Sequence, residues 1–274
     1  MKLAFIWSFD KAPDIYNKWR DGLRAAIEVI GKDNEVDIYL GDNYKYFDDN
    51  YDSILLWTDS TDKIIKWVSD KSGTKGIILT TDPHDLDNLR NLDVVFCEST
   101  PVYEQVRRGG IHSVQAFGTD TKFYTPDKKI KKDIEYFYPA TFSPWKQQSK
   151  LAYLKNMLWC VGTIQPDGVE EYNAVKDAGA TIQVGYFDAD DIKELYTRAK
   201  RVPIPAIHGS ERTVLEAMSM NILPDVSHPA NVRTRSYIEE YKKSGCDTPR
   251  EFVVENYNAK QYALKIMKGL GWKQ

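Results

Sequence analysis

The chain has 274 residues, 42% of them hydrophobic and 28% charged, with a formal net charge of −3 at pH 7. Such a chain has room for one large or two ordinary domains with real cores, which excludes a disordered polypeptide, and its slightly acidic balance excludes an overall basic field that would draw in nucleic acid. Cys97, Cys160 and Cys246 lie far apart with no metal-ligand spacing, which fits a reducing compartment. The first apolar run is broken at Asp10, too short for a signal peptide, and no window approaches the ~18 apolar residues of a membrane span, so a cytoplasmic protein is expected.

Short apolar runs alternate with helical patterns from the start. Leu3 to Trp7 reads as a strand, Ile15 to Ile30 as an amphipathic helix, Val36 to Leu40 and Ser53 to Trp57 as strands, and Thr61 to Val68 as a helix. Strands follow at Gly76 to Thr80, Asp93 to Cys97 and His112 to Phe117, with a helix at Val102 to Arg108 ended by Gly109-Gly110. Strands of about five residues alternating with helices predict βαβ units and a parallel sheet. No G-x-G-x-x-G follows the first strand, which argues against a nicotinamide dehydrogenase or epimerase.

Asp127 to Asp133, with the basic run Lys128 to Lys132, reads as a solvated linker, after which the alternation restarts. Strands are expected at Glu135 to Pro139, Leu158 to Ile164 and Thr181 to Tyr186, and helices at Gln148 to Met157, Val169 to Ala178 and Asp190 to Ala199. The fold class is therefore α/β, with two Rossmann-like domains, 1–127 and 128–274, facing one another across a cleft lined by loops at the strand carboxyl ends.

The stretch Val202 to Ser227 carries the most chemistry. It reads as a strand to Ile207, a turn at His208-Gly209, an N-cap at Ser210, a helix from Glu211 to Met220 and a left-handed C-cap at Asn221. A strand that feeds a turn straight into a helix N-terminus presents free N–H groups and the dipole to an anion. Glu216, in the second turn, leans back toward that spot, and a carboxylate beside a phosphate pocket suits the hydroxyls of a ribose. The plainer reading pairs Glu216 with Arg212 on a solvated face, although acid before base is the better order. Helices at Thr234 to Lys243 and Ala259 to Leu270 complete the chain.

Read in order, segments of the chain resemble the retaining glycosyltransferases of family 4, which have the GT-B fold. ILTTDPHDL is similar to the family's His-Asp segment and supplies His84; VVFCESTPVYEQV supplies Ser99 before a helix; GTDTKFYTP (Gly118 to Pro126) is close to "GVDT..F.P". PATFSPWKQ keeps Ser143, Pro144 and Lys146 of "GRLSPEKG", and HGSERTVLEAM keeps Gly209 and Glu216-Ala217-Met218 of the E-x7-E motif. The resemblance implies a nucleoside-diphosphate sugar donor, UDP- or GDP-linked, and a transferase of hexosyl type that retains anomeric configuration. It implies Glu216 on the ribose, Lys146 on the diphosphate, His84 on the donor sugar, and Ser143, Gly209, Ser210 and Thr213 around the donor. It also implies a last helix that packs back on the N-terminal domain.

The departures are specific. His208 stands where the family has the first Glu, and Thr141 where it has the Arg of "GR", so Arg212 is the candidate replacement cation. WSFDKAPD replaces the glycine-rich loop after the first strand, which leaves the acceptor open: a saccharide, a small molecule, or a hydroxymethylated base in DNA as in phage glucosyltransferases. Arg107-Arg108 and Lys128 to Lys132 are the basic candidates for the DNA option, and a non-catalytic nucleotide-sugar binder is a further alternative. Trp7 and Trp145 are the candidate stacking rings. His112 and His228 read as surface residues. Asp188 to Asp191 reads as a helix start, so no metal and no cofactor are expected.

Overall fold

The computed structural model describes residues 1–48, 50–79 and 82–273. The chain divides into two compact units, Met1–Gly118 with Asn258–Gln274, and Thr119–Tyr257. The first unit holds β1 (Lys2–Trp7), α1 (Ala12–Ile15), α2 (Gly22–Ile30), β2 (Glu35–Leu40), β3 (Ser53–Thr58), α3 (Ile64–Ser69), β4 (Thr74–Leu79), α4 (Leu86–Leu89), β5 (Val94–Cys97), α5 (Thr100–Arg108) and β6 (Ser113–Gln115). The six strands pair in parallel in the order β2-β1-β3-β4-β5-β6. The chain reverses its direction of growth between β1 and β3, which makes that boundary the topological switch point of the sheet.

The central strands are apolar throughout because both faces are covered. Ala4, Ile6, Ile54, Leu56, Ile77, Leu79, Val95 and Cys97 point to one face, against Ile65 and Val68 of α3 and Val102 and Val106 of α5. Edge strand β2 is less covered, and none of its six residues is fully buried. The helix expected over Ile15 to Ile30 is two pieces. The short α1 ends at Ile15, and α2 starts only after Asp21, whose carboxylate accepts the Arg24 N–H as an N-cap. β4 is described from Thr74 to Leu79; Thr80, to which the strand was expected to run, and Thr81 lie outside the described residues.

The second unit holds β7 (Ile134–Pro139), a run of 3₁₀ turns over Gln148–Met157, β8 (Leu158–Gly162), α6 (Val169–Asp177), β9 (Thr181–Val184), α7 (Ala189–Arg198), β10 (Ala199–Arg201), β11 (Pro203–Ile204), α8 (Glu211–Ser219), β12 (Asp225–Val226), α9 (Val232–Ser244) and α10 (Pro249–Asn256). Its parallel strands form a sheet in the order β10-β7-β8-β9 and a separate β11-β12 pair. The α-helix expected over Gln148 to Met157 is instead 3₁₀ in character and kinks at Lys155, whose φ is 52°. The strand expected over Val202 to Ile207 is two residues long, since prolines at 203 and 205 remove the donors a longer ladder needs.

Residues 119–126 belong to the second unit, ahead of the linker expected at 127. The Tyr124 carbonyl accepts the Ser219 hydroxyl at 2.6 Å and the Arg250 guanidinium at 2.9 Å, which also reaches the Thr121 carbonyl. The Lys128 to Lys132 run is exposed ahead of β7. The final helix, α11 (Ala259–Gly269), returns to the first unit and packs on α2, β5 and β6. Gly269 permits this, because a Cβ there would stand 2.4 Å from the Phe96 ring. Beyond it the Trp272 indole donates to the buried Ser53 hydroxyl at 2.8 Å. Among the described residues, no helix is long and apolar enough to cross a membrane.

Candidate functional site

The second unit gathers most of the residues singled out by sequence around the start of α8. Gly209 and Ser210 precede the helix with φ of 73° and 85°, both left-handed. Ser210 occupies the N-cap position, as expected, but its side chain does not cap. Its hydroxyl instead accepts a hydrogen bond from Lys146 Nζ at 2.9 Å. A Cβ on Gly209 would stand 2.8 Å from the same Nζ, so the glycine serves both the turn and the approach of the lysine. At the other end of α8 the N–H of Ile222 bonds the Ala217 carbonyl and that of Asn221 bonds Met218. With Asn221 at φ 58°, this is the left-handed cap expected there.

The turn is held from α9. The Gly209 carbonyl accepts from Thr234 Oγ1 at 2.6 Å and from Asn231 Nδ2 at 3.1 Å, and the same Asn231 amide reaches the Ala206 carbonyl. Asn231 also caps α9, so two helix N-termini converge on one backbone turn. Glu211, in the first turn of α8, pairs with Arg233 of α9 at 2.8 Å; both are buried, and the contact is ionic, its angle outside hydrogen-bond geometry. Burial lowers the Lys146 pKa to about 8; Glu211 works against this, while Arg212 and Arg233 reinforce it.

Glu216 is 5% exposed. One carboxylate oxygen lies 3.5 Å from Arg212 Nε and the other accepts from the Tyr196 hydroxyl at 3.3 Å. The plainer pairing with Arg212 is therefore present, but on a buried carboxylate, whereas the Arg212 side chain is 47% exposed. Thr213 is tied by its hydroxyl to the Pro139 carbonyl at the end of β7. Thr141 bonds Thr163 across the neighbouring strand end, and Ser143 is fully buried with a hydroxyl that lacks a partner among the described residues. His208 is exposed, its ring nearly parallel to that of Trp145 at 5.9 Å between centroids.

His84 belongs to the first unit, exposed in a turn whose N–H groups at residues 84 and 85 both donate to the buried Ser60 hydroxyl. Sequence reasoning missed Asn231, Arg233 and Tyr196. The signal for the first two was local: Asn231 ahead of a helical run is an N-cap, and that start places Arg233 in a first turn, where a cation opposes the dipole and needs an acid nearby. Tyr196 carried none, because its ring packs as core and only the hydroxyl reaches the site. Among the described residues no group of three or more His, Cys, Asp or Glu is placed to hold a metal ion.

Two successive Rossmann-like α/β units with parallel sheets, followed by a helix that belongs to the first, make up the GT-B fold of glycosyltransferases. Solved structures with this fold include HepE (Alr3699) of Anabaena in complex with UDP and glucose, 14% identical over 99% of each chain with a TM-score of 0.68. AviGT4, a glycosyltransferase involved in avilamycin A biosynthesis, is 11% identical over the whole of both chains, TM-score 0.69. Trehalose-6-phosphate synthase OtsA is 9% identical over the whole of both chains, TM-score 0.65. No protein-family model matches the chain, and no curated protein sequence matches it.

Proposed function

We propose that this chain is a glycosyltransferase that moves a hexosyl group from a nucleoside-diphosphate sugar to a hydroxyl acceptor, without a metal ion and with retention at the anomeric carbon. One observation carries the reading: the Lys146 ammonium is held over Gly209 at the head of α8, with buried Glu216 on the same helix. The turn N–H groups, the α8 dipole and Lys146 suit a diphosphate, and a buried acid one turn further on suits the pentose attached to it. Similarity in fold to HepE, solved with UDP and glucose, and to AviGT4 supports the same reading.

In this mechanism the charge that builds on the departing nucleotide is met by preorganised cations. Lys146 transfers its hydrogen bond from Ser210 to a phosphate oxygen, and Arg212 takes the place of the family's missing arginine. The acceptor hydroxyl attacks on the face the leaving group vacates, so no protein nucleophile is required. His208, cationic or neutral where the family has an acid, contacts the sugar differently from a carboxylate. His84 carries the sugar-contact role on the resemblance alone.

The test is a thermal-shift and calorimetric screen with UDP, GDP and their glucose and mannose derivatives, followed by turnover with the donor that binds. Lys146→Ala and Glu216→Ala are each expected to abolish transfer while the circular-dichroism spectrum is kept. Near-normal turnover in either variant removes the assignment, and nucleotide binding with no transfer or donor hydrolysis selects the non-catalytic binder.

A further inference from the structure

Glu216 lies between an interior partner and a surface one. Its Oε2 accepts from the Tyr196 hydroxyl at 3.3 Å, and its Oε1 lies 3.5 Å from Arg212 Nε. The two partners differ in kind. Tyr196, on α7, is fully buried, whereas the Arg212 side chain is 47% exposed. An ion pair to a solvated guanidinium is weak and readily exchanged for another partner. The guanidinium fork also takes both oxygens of an acid that nothing else holds. The buried phenol is what holds this one back from the surface.

The phenol is fixed by its surroundings. The Tyr196 ring meets Phe137 of β7 edge-on at 5.1 Å and Tyr124 edge-on at 6.1 Å between centroids. Tyr124 is tied in turn to the end of α8, where its carbonyl accepts the Ser219 hydroxyl. The Tyr196 hydroxyl reaches one face of α8, within 3.4 Å of the Thr213 carbonyl as well as the Glu216 carboxylate. Of these two acceptors the charged one is the stronger. The Thr213 hydroxyl, bonded to the Pro139 carbonyl, keeps that face of α8 against the end of β7. Burial, and after it the Glu216 charge, raise the Tyr196 pKa well above its ordinary value, so the phenol stays a donor near neutral pH.

We infer that Tyr196 is a positioning residue that sets the preference of the site for a nucleotide with an intact ribose. It holds Glu216 Oε2 from the interior, so that Oε1 exchanges Arg212 for a ligand hydroxyl. Without the phenol oxygen the carboxylate is left to Arg212, which draws it toward the surface. This role rests on the transferase reading, because Tyr196 acts only through the acid assigned to the pentose.

A double-mutant cycle on the intact protein, read by calorimetry with UDP and 2′,3′-dideoxy-UDP, tests it. Tyr196→Phe keeps the ring and its packing and removes only the hydroxyl. The preference for UDP over the dideoxy nucleotide is expected to shrink by about tenfold in this variant, with affinity for the dideoxy nucleotide unchanged. Added to Glu216→Gln, Tyr196→Phe is expected to change neither affinity further. Tyr138→Phe is the control for a lost buried hydroxyl. The Tyr138 phenol is fully buried too, but donates to the Lys146 carbonyl at 3.2 Å and not to Glu216, so this variant should keep the parental preference. A Tyr196→Phe protein that melts lower and binds both nucleotides equally more weakly overturns the inference, as does an effect of the same size with and without Glu216→Gln. A parent protein with no preference between the nucleotides defeats the donor reading and this role with it. A parental preference that survives in Tyr196→Phe counts against Tyr196 alone.

Discussion

The Lys146 ammonium donates to the hydroxyl of Ser210, 64 positions later, at 2.9 Å, and Ser210 holds a left-handed backbone to receive it. A non-glycine residue pays about 1–2 kcal/mol for that conformation, and an N-cap serine ordinarily recovers some of it by capping its own helix. Here it does not cap. Strain kept without a local return, at the mouth of a helix with a buried acid behind it, is the pattern of a position held for function.

Ser210→Gly therefore separates the two roles. Glycine removes the left-handed penalty and adds about 0.5–1 kcal/mol of unfolded-state entropy, so stability is expected to stay level or rise by up to about 1 kcal/mol. UDP affinity is expected to fall about fivefold as Lys146 loses the hydroxyl that aims it. Thermal melts and calorimetry read both. Unchanged UDP affinity with raised stability makes Ser210 a structural residue only.

The Lys146 pKa, lowered from 10.5 to about 8, gives two pH dependences of opposite sign. A bound diphosphate favours the ammonium, and its own charge is constant above about pH 7, since the phosphate pKa is ~6. Affinity for UDP is therefore expected to be flat near neutrality and to fall above pH 8, approaching about tenfold per pH unit. Stability of the ligand-free protein moves the other way. Between 8 and 10.5 the unfolded lysine holds more protons than the folded one, so this group's contribution to stability grows as pH rises through that window. Calorimetry across pH on the parent protein and Lys146→Met checks the first trend, which the variant should lack.

What the sequence revealed followed the range of the physics involved. The β1, β3 and β5 cores were legible because buried parallel strands are near-continuous apolar runs, and Asn221 because a helix cap is local chemistry. The extra helix α10 was hidden by its mixed surface composition, although Thr248 ahead of Pro249 and Glu251 is an N-cap signal. The kink at Lys155 was not legible, since nothing in a lysine announces a positive φ. Glu216 and Lys146 were singled out as candidates through spacing and resemblance. Arg233, 22 residues from Glu211 in sequence, meets it only because α8 and α9 start at the same turn.

Glu216 distinguishes a nucleotide grip from a helix-surface ion pair. Hydrogen bonds to a charged group are worth about 1.5–3 kcal/mol, so Glu216→Gln is expected to weaken UDP by about 10- to 100-fold. Arg212 is itself half-exposed and stays solvated when its partner is neutralised, so the melting temperature should barely move. The sharper readout is the comparison with 2′,3′-dideoxy-UDP. The parent protein should prefer UDP to the dideoxy nucleotide, and the variant should bind the two alike. If the parent protein itself shows no preference, the carboxylate does not hold the ribose.

The Glu211–Arg233 pair makes the last prediction, because it couples stability to the site's electrostatics. Both side chains are buried, so Arg233→Met strands a carboxylate in the interior and is expected to cost about 3–5 kcal/mol. Replacing both ions, Arg233→Met with Glu211→Gln, removes the unpaired charge and should recover most of that loss. Arg233 is also one of the two cations that hold the Lys146 pKa down, while Glu211 pulls it up. In the single variant the lysine keeps its acid and loses a repelling cation, so the pH at which UDP affinity starts to fall should move above 8. In the double variant the larger contribution, that of Glu211, is lost with the smaller one of Arg233, so the pH should fall below that of the parent. Melting temperatures and pH-dependent UDP titrations of the three proteins decide the matter, and a single variant as stable as its parent shows that the pair carries neither role.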